Sequence, residues 1–385
     1  MNLSPSGLMA EAERETGLND YGSNSFSEGL ERLCDALANE AALSELGETI
    51  LGMRLVGHLS ARLLVTKTFE EHPDINDEVI RSPIFIIGLP RTGTTALSNL
   101  LHADPAIRSL RLWESSSPVP PPESATEAND PRIAEAQAGL DAMYATFPKM
   151  RQLHFQAADG PTECQDLLGM DVRTSHFDGM AIVPSYVEWV LGCDMTPAYE
   201  MHRSTLKLLQ WHCGPNQWHL KTPVHMLALP ALNHIYPDAK FIWTHRDPSE
   251  VMGSVCSLMA YTRSWVSDLV DPDIGAGQSA IWSEALRRAM AFRDHVGEDR
   301  FADIGFSSFN ADPVASIATS FEQLGLPFDD TSRHAVAAWA RAHRRGQDGT
   351  HEFALADFGL SQEQVSDEFG FYLERFGDLA TTRPT

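Results

Sequence analysis

Apolar residues in the first part of the chain recur with the spacing of helices. Between about residues 27 and 69 they fall three or four positions apart, as at Leu30, Leu33 and Leu37 and later at Leu55 and Leu59. This spacing predicts two or three helices ahead of the main core. We therefore expect an N-terminal helical segment, residues 1–80, that packs against a larger domain formed by residues 81–385.

The larger domain begins with a different pattern, in which short apolar runs alternate with helical stretches. The run at 84–87 ends in a glycine-rich turn, and residues 94–102 then have helical spacing. Further runs lie at 218–220, 241–244 and 301–306. Strands that alternate with helices are typical of an α/β fold with a mainly parallel sheet.

A proline-rich break interrupts this alternation. Residues 118–122 read PVPPP and predict an extended segment. The stretch that follows, about 120–216, is mostly helical by pattern. An insertion of this length predicts a helical cap over the sheet that binds the acceptor substrate.

Composition and charge narrow the class of protein. The 385 residues carry a net charge of -24, which argues against binding nucleic acid through its phosphates.

Five scattered cysteines without a C-x-x-C pair, a polar N-terminus and the lack of a long apolar run predict a cytoplasmic protein without a transmembrane segment. The loosely spaced histidines predict no metal site. Oligomeric state stays open.

The loop between the first apolar run and its helix is the strongest chemical signal. It reads GLPRTGTT, and Gly88 and Gly93 have the spacing of the glycines in G-x-x-x-x-G-K-[ST]. A strand, a glycine-rich loop and a helix N-terminus together bind phosphate-like anions. Thr94 stands where a triphosphate site has lysine, and Arg91 supplies a cation inside the turn. A tight strand-to-helix turn without a ligand is the alternative.

A second anion site is predicted after the run at 241–244. Asp247 and Pro248 have the features of a helix N-terminus, which places Arg246 at the carboxyl end of a strand and Ser254 two turns along the helix. Together they can hold one phosphate. Alternatively, Arg246 pairs with a nearby acid and Ser254 faces solvent.

These elements, in this order, resemble the sulfotransferases that use 3′-phosphoadenosine 5′-phosphosulfate (PAPS). In that family a P-loop-like turn holds the 5′-phosphosulfate, while an R-x₇-S element and a late R-[KR]-G-x-x-G loop hold the 3′-phosphate. The chain is most similar to the bacterial branch with a G-x-P-R-[ST]-G-[TS]-[TS] loop, over roughly residues 83–377. The resemblance implies a P-loop-like three-layer fold and a donor site without metal. The implied donor-binding residues are Pro90, Arg91, Thr92, Gly93, Thr94, Thr95, Arg246, Ser254, Arg344, Arg345 and Gly346.

The chemistry of the family also suggests roles for particular residues. Sulfuryl transfer is an in-line displacement that needs cations at the leaving group and a base at the acceptor hydroxyl. Lys221, in a K-[ST]-P element, and Arg91 are the expected cations. Glu114 lies in the segment RLWE (111–114), which we expect to follow a further strand not among the runs above; it is the expected base, with His225 as the second choice. Lys221 and Glu114 could instead form structural ion pairs, and Glu163 is a further carboxylate that could line the acceptor pocket.

The nature of the acceptor is suggested by the cap. It contains aromatic residues and few basic ones, which favours a small or lipid-like hydroxyl compound over a sulfated polysaccharide. The same aromatic residues could equally form the core of the cap; they are Phe155, Phe177, Tyr186, Trp189 and Tyr199. A P-loop kinase of nucleotides or small molecules and a binding module without catalysis are the rival functions.

Overall fold

The computed structural model describes residues 2–214, 217–343 and 353–381. Its centre is a parallel sheet of five strands in the order β2-β3-β1-β4-β5. The strands are β1 (Ile84–Gly88), β2 (Ile107–Ser109), β3 (Gln217–Lys221), β4 (Lys240–His245) and β5 (Phe301–Gly305). This confirms the predicted α/β fold and all four apolar runs, except that Phe306 begins a helix instead of ending a strand.

Helices surround the sheet and form the segments before and after it. Those that precede the cap are α1 (Pro5–Thr16), α2 (Phe26–Asn39), α3 (Glu45–Glu71), α4 (Thr94–His102) and α5 (Leu112–Ser116). The cap contributes α6 (Pro131–Thr146), α7 (Met150–Leu153), α8 (Gln165–Gly169), α9 (Pro184–Gly192) and α10 (Thr196–Gln210). The remaining helices are α11 (Leu229–Ile235), α12 (Pro248–Arg263), α13 (Ile274–Val296), α14 (Phe306–Ala311), α15 (Pro313–Gln323), α16 (Asp330–Ala342), α17 (Gln362–Glu368) and α18 (Gly370–Ala380).

Strand β1 shows why the fold has three layers. All five of its residues are buried, as expected for a central strand of a parallel sheet that is covered by helices on both faces. Ile84 and Ile86 belong to an apolar cluster with α4 and α15. Phe85 and Ile87 point to the opposite face and pack in the larger cluster with α10 to α13.

The register of the sheet decides which loops meet. Ile86 of β1 lies opposite Lys221 of β3, and Gly88 lies opposite Thr244 of β4. The carboxyl ends of these three neighbouring strands therefore share one edge of the sheet. In an open α/β sheet this is the edge that binds ligands.

The N-terminal helices form a core of their own that also includes part of the cap. Leu30 of α2 and Leu55 of α3 share an apolar cluster with Tyr186 and Val187 of α9. Helix α1 was not predicted, because its buried apolar side is only Leu8 and Ala12. In the described parts of the chain, no helix combines the length and the apolar character needed to cross a membrane.

Candidate active site

The loop between β1 and α4 is held in an unusual backbone conformation. Gly88 and Gly93 have φ angles of 140° and 95°, and Arg91 has a φ of 67°. A Cβ atom at Gly88 would overlap the hydroxyl of Thr244, so only glycine fits there. Thr92 donates from its hydroxyl to the Leu89 carbonyl, with an O–O distance of 2.6 Å. The turn therefore presents its backbone and the N-terminus of α4 at the ligand-binding edge of the sheet.

Arg91, Arg246 and Ser254 are brought together, as the two predicted anion motifs require. Arg91 donates from Nε to Ser254 Oγ at 3.1 Å, and Arg246 donates from Nη1 to the Arg91 carbonyl at 3.0 Å. Burial, and then the charge of Arg246, lowers the pKa of Arg91. Two arginines this close in an acidic protein create a local positive field that an anion would relieve.

The alternative interpretation of the second anion motif, in which Arg246 pairs with an acid and Ser254 faces solvent, is correct only for Arg246. Arg246 does pair with an acid, because its Nε lies 3.1 Å from Glu250 Oε2. Ser254, however, is buried and does not face solvent. The Arg246 guanidinium lies 4.1 Å from the centroid of the Phe306 ring. A partly exposed cation stacked on a ring, beside the loop, is a suitable contact for a nucleotide.

Lys221 at the end of β3 faces a carboxylate from the cap. Its Nζ lies 2.8 Å from Glu163 Oε1 and 3.4 Å from Thr95 Oγ1 of the loop. Thr222 donates to Glu163 Oε2 at 3.2 Å, and Gln165 Nε2 donates to the same oxygen at 3.4 Å. Glu163 thus has a fixed position next to the anion-binding loop.

Charges around Glu163 keep it ionised. Burial alone would raise the pKa of Glu163, but the charges of Lys221 and His154 and the hydrogen bond from Lys221 outweigh burial and hold that pKa at about 2. The pKa of His154 is lowered to about 4, chiefly by burial and also by Lys221 and Arg91, although Glu163 opposes the shift. His154 is therefore neutral at physiological pH.

Glu114 does not occupy the position expected of a base. Its side chain is 0% exposed, and its Oε1 lies 2.7 Å from both Arg108 and Arg111. Glu114 Oε2 also accepts from the Arg111 backbone N–H at 3.1 Å, at the start of α5. The carboxylate does not line the neighbouring cavity. Two arginines and a helix terminus use its acceptor capacity, which is the structural ion pair that the sequence left open as the alternative to a base.

His225 is likewise placed in the core. Its Nδ1 lies 2.8 Å from the Tyr199 hydroxyl, and its ring is edge-on to Phe85 with centroids 5.0 Å apart. Burial lowers the pKa of His225 well below its ordinary value. Because the ring does not line the cavity either, His225 is not in reach of an acceptor there.

A cavity of about 530 Å³ extends from the loop under the cap. Its loop end includes Pro90, Arg91, Thr94 and Thr95, which meet Glu163. The rest of its wall is mainly apolar and comes from Leu112, Leu140, Met143, Met150, Met180, Val255, Leu258, Met259, Trp265 and Trp282. Polar residues also line this part of the cavity, among them His154, His176, Arg54, Asp166 and Gln278.

The aromatic residues expected to bind the acceptor are elsewhere. Phe177 and Tyr186 pack in the N-terminal cluster, and Tyr199 belongs to the main core. Phe155 is 49% exposed, and neither it nor Trp189 lines the cavity. These aromatic residues therefore mostly pack in apolar clusters outside the cavity and do not form a separate core of the cap.

Several residues of this site carried no signal in the sequence. His154 and His176 belong to no motif, and Arg54 comes from the N-terminal helix α3. The predicted phosphate loop with Arg344, Arg345 and Gly346 lies outside the described residues. Within the described ranges, no group of three or more His, Cys, Asp or Glu side chains has an arrangement that could hold a metal ion.

The fold and the loop at its edge define the class of protein. A model of the sulfotransferase family matches residues 83–330, which include β1, the loop, Lys221 and Arg246. The chain belongs to the sulfotransferase family, and it is an enzyme that transfers groups.

Individual relatives agree with this assignment. The crystal structure of sulfotransferase STF1 from Mycobacterium tuberculosis H37Rv is 36% identical, covers 96% of this chain and 98% of its own, and superposes with a TM-score of 0.86. That of sulfotransferase STF9 from Mycobacterium avium is 28% identical, with 97% of both chains covered and a TM-score of 0.91. The omega-hydroxy-beta-dihydromenaquinone-9 sulfotransferase Stf3 of Mycobacterium bovis is 24% identical over 315 residues, 78% of this chain and 77% of that protein.

Proposed function

We propose that this enzyme transfers the sulfuryl group of PAPS to the hydroxyl of a lipid-like acceptor, with Glu163 as the base. The observation that carries the proposal is the Lys221–Glu163 pair, 2.8 Å apart, where the anion-binding loop meets the apolar cavity. The donor would approach this pair from the loop and the acceptor from the cavity. Lys221 would contact the sulfuryl group on the donor side, and Glu163 would accept the proton of the acceptor hydroxyl.

The donor site follows from the convergence of the two arginines. Backbone N–H groups of Thr92, Gly93, Thr94 and Thr95, with the Pro90 turn, would hold the 5′-phosphosulfate at the α4 N-terminus. Arg246 and Ser254 would hold the 3′-phosphate, with Arg344, Arg345 and Gly346 as a further clamp. The ring of Phe306, which lies 3.5 Å from the position of a Gly93 Cβ and under Arg246, would contact the nucleoside.

An apolar acceptor fits the wall of the cavity. Much of that wall is aliphatic or aromatic, and its polar residues include Glu163 and Gln165 at the end next to Lys221. Such a distribution suits a hydroxyl at one end of an apolar molecule. Stf3, a relative of this chain, is named for an acceptor of that chemical kind, a hydroxylated menaquinone derivative.

In the transfer step, the acceptor oxygen forms a bond to sulfur while the bond from sulfur to the bridging phosphate oxygen breaks. The acceptor proton passes to Glu163, and adenosine 3′,5′-bisphosphate leaves with the electron pair, stabilised by Lys221 and Arg91. A carboxylate whose pKa is about 2 is a weak base. We expect the sulfuryl oxygens to draw Lys221 away from Glu163, which raises the pKa of Glu163 in the ternary complex.

A test compares ligands and products directly. Adenosine 3′,5′-bisphosphate without metal should raise the melting temperature, whereas ATP with Mg²⁺ should have little effect. Incubation with PAPS and 1-decanol should give decyl sulfate, detected by mass spectrometry. Stabilisation by ATP and Mg²⁺ alone, with phosphorylated and no sulfated product, would instead support the kinase. If neither nucleotide stabilises the protein, the binding module without catalysis is favoured.

A further inference from the structure

A second cavity adjoins the acceptor cavity. It has a volume of about 390 Å³ and lies between α9, α11 and α13. Ser175 and Val224 line both cavities, so the two spaces are separated there by the side chains of these two half-buried residues. Val224 follows Lys221 by three positions, so the boundary between the two cavities lies next to the proposed reaction centre.

The two cavities also follow one face of the same helix. Ile281 of α13 lines the acceptor cavity, and Arg288 lines the second cavity. Seven residues are two helical turns, or about 10 Å along the axis. A hydrogen bond also links the walls of the two cavities. Thr174, which lines the second cavity, donates from its hydroxyl to Oε1 of Gln165, which lines the acceptor cavity, at 2.7 Å. The two spaces are therefore neighbours along α13.

The wall of the second cavity is suited to hydrocarbon. Its apolar residues include Val190, Leu191, Met195, Leu227 and Ala231. The one arginine among its lining residues, Arg288, already has hydrogen-bond partners within the protein. Arg288 donates from Nε to Glu284 at 2.7 Å and from Nη1 to the carbonyls of Leu191 and Leu227 at 2.8 and 3.1 Å. An anionic ligand would have to compete with these partners.

We propose that the second cavity binds the distal part of the acceptor's apolar chain, while the hydroxyl head lies at Glu163 in the acceptor cavity. The inference rests on the proposed lipid-like acceptor and adds to it a binding site and a preference for long chains. The chain passes between Ser175 and Val224. Passage of the chain requires rotation of these two half-buried side chains.

Filling the second cavity tests the proposal. Ala231 is half-buried and lines the second cavity but not the acceptor cavity, so Ala231→Trp should obstruct only the distal site. For the wild-type enzyme, kcat/KM along the series from 1-hexanol to 1-hexadecanol should rise by up to about fourfold per methylene once the chain reaches this site. Ala231→Trp should remove that rise and leave 1-hexanol unchanged. Ala338→Trp, at an exposed position on α16, is the matched control.

A binding measurement without turnover uses the cysteines. Cys193 lines the second cavity, and Cys213, which is also half-buried, lines neither cavity. In the presence of adenosine 3′,5′-bisphosphate, 1-hexadecanol should slow the alkylation of Cys193 by N-ethylmaleimide, measured by peptide mass spectrometry. It should leave Cys213 unaffected, and 1-hexanol should protect neither thiol.

The outcomes separate this inference from the proposed function. If wild-type enzyme sulfates the alcohols but Ala231→Trp has the same chain-length dependence and Cys193 stays unprotected, the distal site is refuted and the sulfotransferase remains. If wild-type enzyme sulfates no alcohol of the series, and 1-hexadecanol does not protect Cys193, both proposals fail. Protection of Cys193 without sulfation would support the chain-binding site and contradict the proposed acceptor chemistry.

Discussion

Lys221 Nζ and Glu163 Oε1 are 2.8 Å apart, although they lie 58 positions apart in the chain. The lysine ends a strand of the sheet, and the glutamate comes from the cap. Their contact sets the protonation state of the site, because Lys221 helps to keep the pKa of Glu163 at about 2. The same contact also connects the donor-binding loop with the acceptor cavity.

Removal of the carboxylate at Glu163 should stop the chemical step while the donor site stays intact. In Glu163→Gln we expect sulfation of 1-decanol to fall by about 10² to 10⁴-fold, the usual contribution of general base catalysis. The affinity for adenosine 3′,5′-bisphosphate, measured by calorimetry, should change little. Glu322→Gln, at an exposed position on α15, serves as control. Turnover close to wild type in Glu163→Gln would exclude it as the base.

Glu114→Gln should act on stability instead. The substitution removes the buried counter-charge of Arg108 and Arg111 and leaves them the more exposed Glu127, so the cost should be at most that of a broken buried pair, about 3–5 kcal/mol. The free energy of unfolding in urea should fall by that order, while kcat per folded molecule stays close to wild type. Unchanged stability together with lost turnover would restore Glu114 as the base.

Arg246→Ala should weaken donor binding. A hydrogen bond to a charged group contributes about 1.5–3 kcal/mol, which corresponds to a loss of roughly 10- to 150-fold in affinity for adenosine 3′,5′-bisphosphate. Added salt should reduce the difference between wild type and variant, because the contact is partly exposed. Arg375→Ala removes a comparable arginine that pairs with Asp294 and Glu298 away from the loop. Equal affinities in wild type and Arg246→Ala would refute the phosphate contact.

The free energy of unfolding should decrease on mild acidification, because buried histidines stay neutral in the folded protein but take up protons in the unfolded chain. Burial lowers the pKa of His219 to about 3, while its two ring nitrogens contact Ser98 and Ser109 at 2.9 and 2.8 Å. Between pH 6.5 and 3 the unfolded chain binds a proton that the folded site does not, so stability decreases as pH falls through this window. His154, whose pKa in the folded protein is about 4, should likewise reduce stability as the pH falls.

Urea unfolding at pH 7.5 and pH 5 measures this effect. The free energy of unfolding should be lower at pH 5. His219→Gln, which cannot take up the proton, should be less stable at pH 7.5 but lose less on acidification. An identical loss in wild type and variant would show that His219 is not a source of the pH dependence.

Local sequence was sufficient to predict the sheet and the loop. Strand β1 is a run of four apolar residues before Gly88, and the conformations at Gly88 and Gly93 are ones that glycine adopts readily. Helix α4 begins at Thr94, where the pattern places it. Helix α1 escaped prediction because two buried residues in twelve make too weak a periodic signal.

The surroundings of the two candidate carboxylates were decided by the tertiary structure. Glu114 and Glu163 are both acids in positions that suit a site, and nothing local separates them. Packing buries Glu114 between two arginines, whereas the cap carries Glu163 to Lys221 at the cavity wall. The sequence by itself determined which segments form strands, helices and the anion-binding turn, because these depend on neighbouring residues. Only the tertiary structure decided which charges meet, because each ion pair and each buried pKa depends on residues distant in the chain.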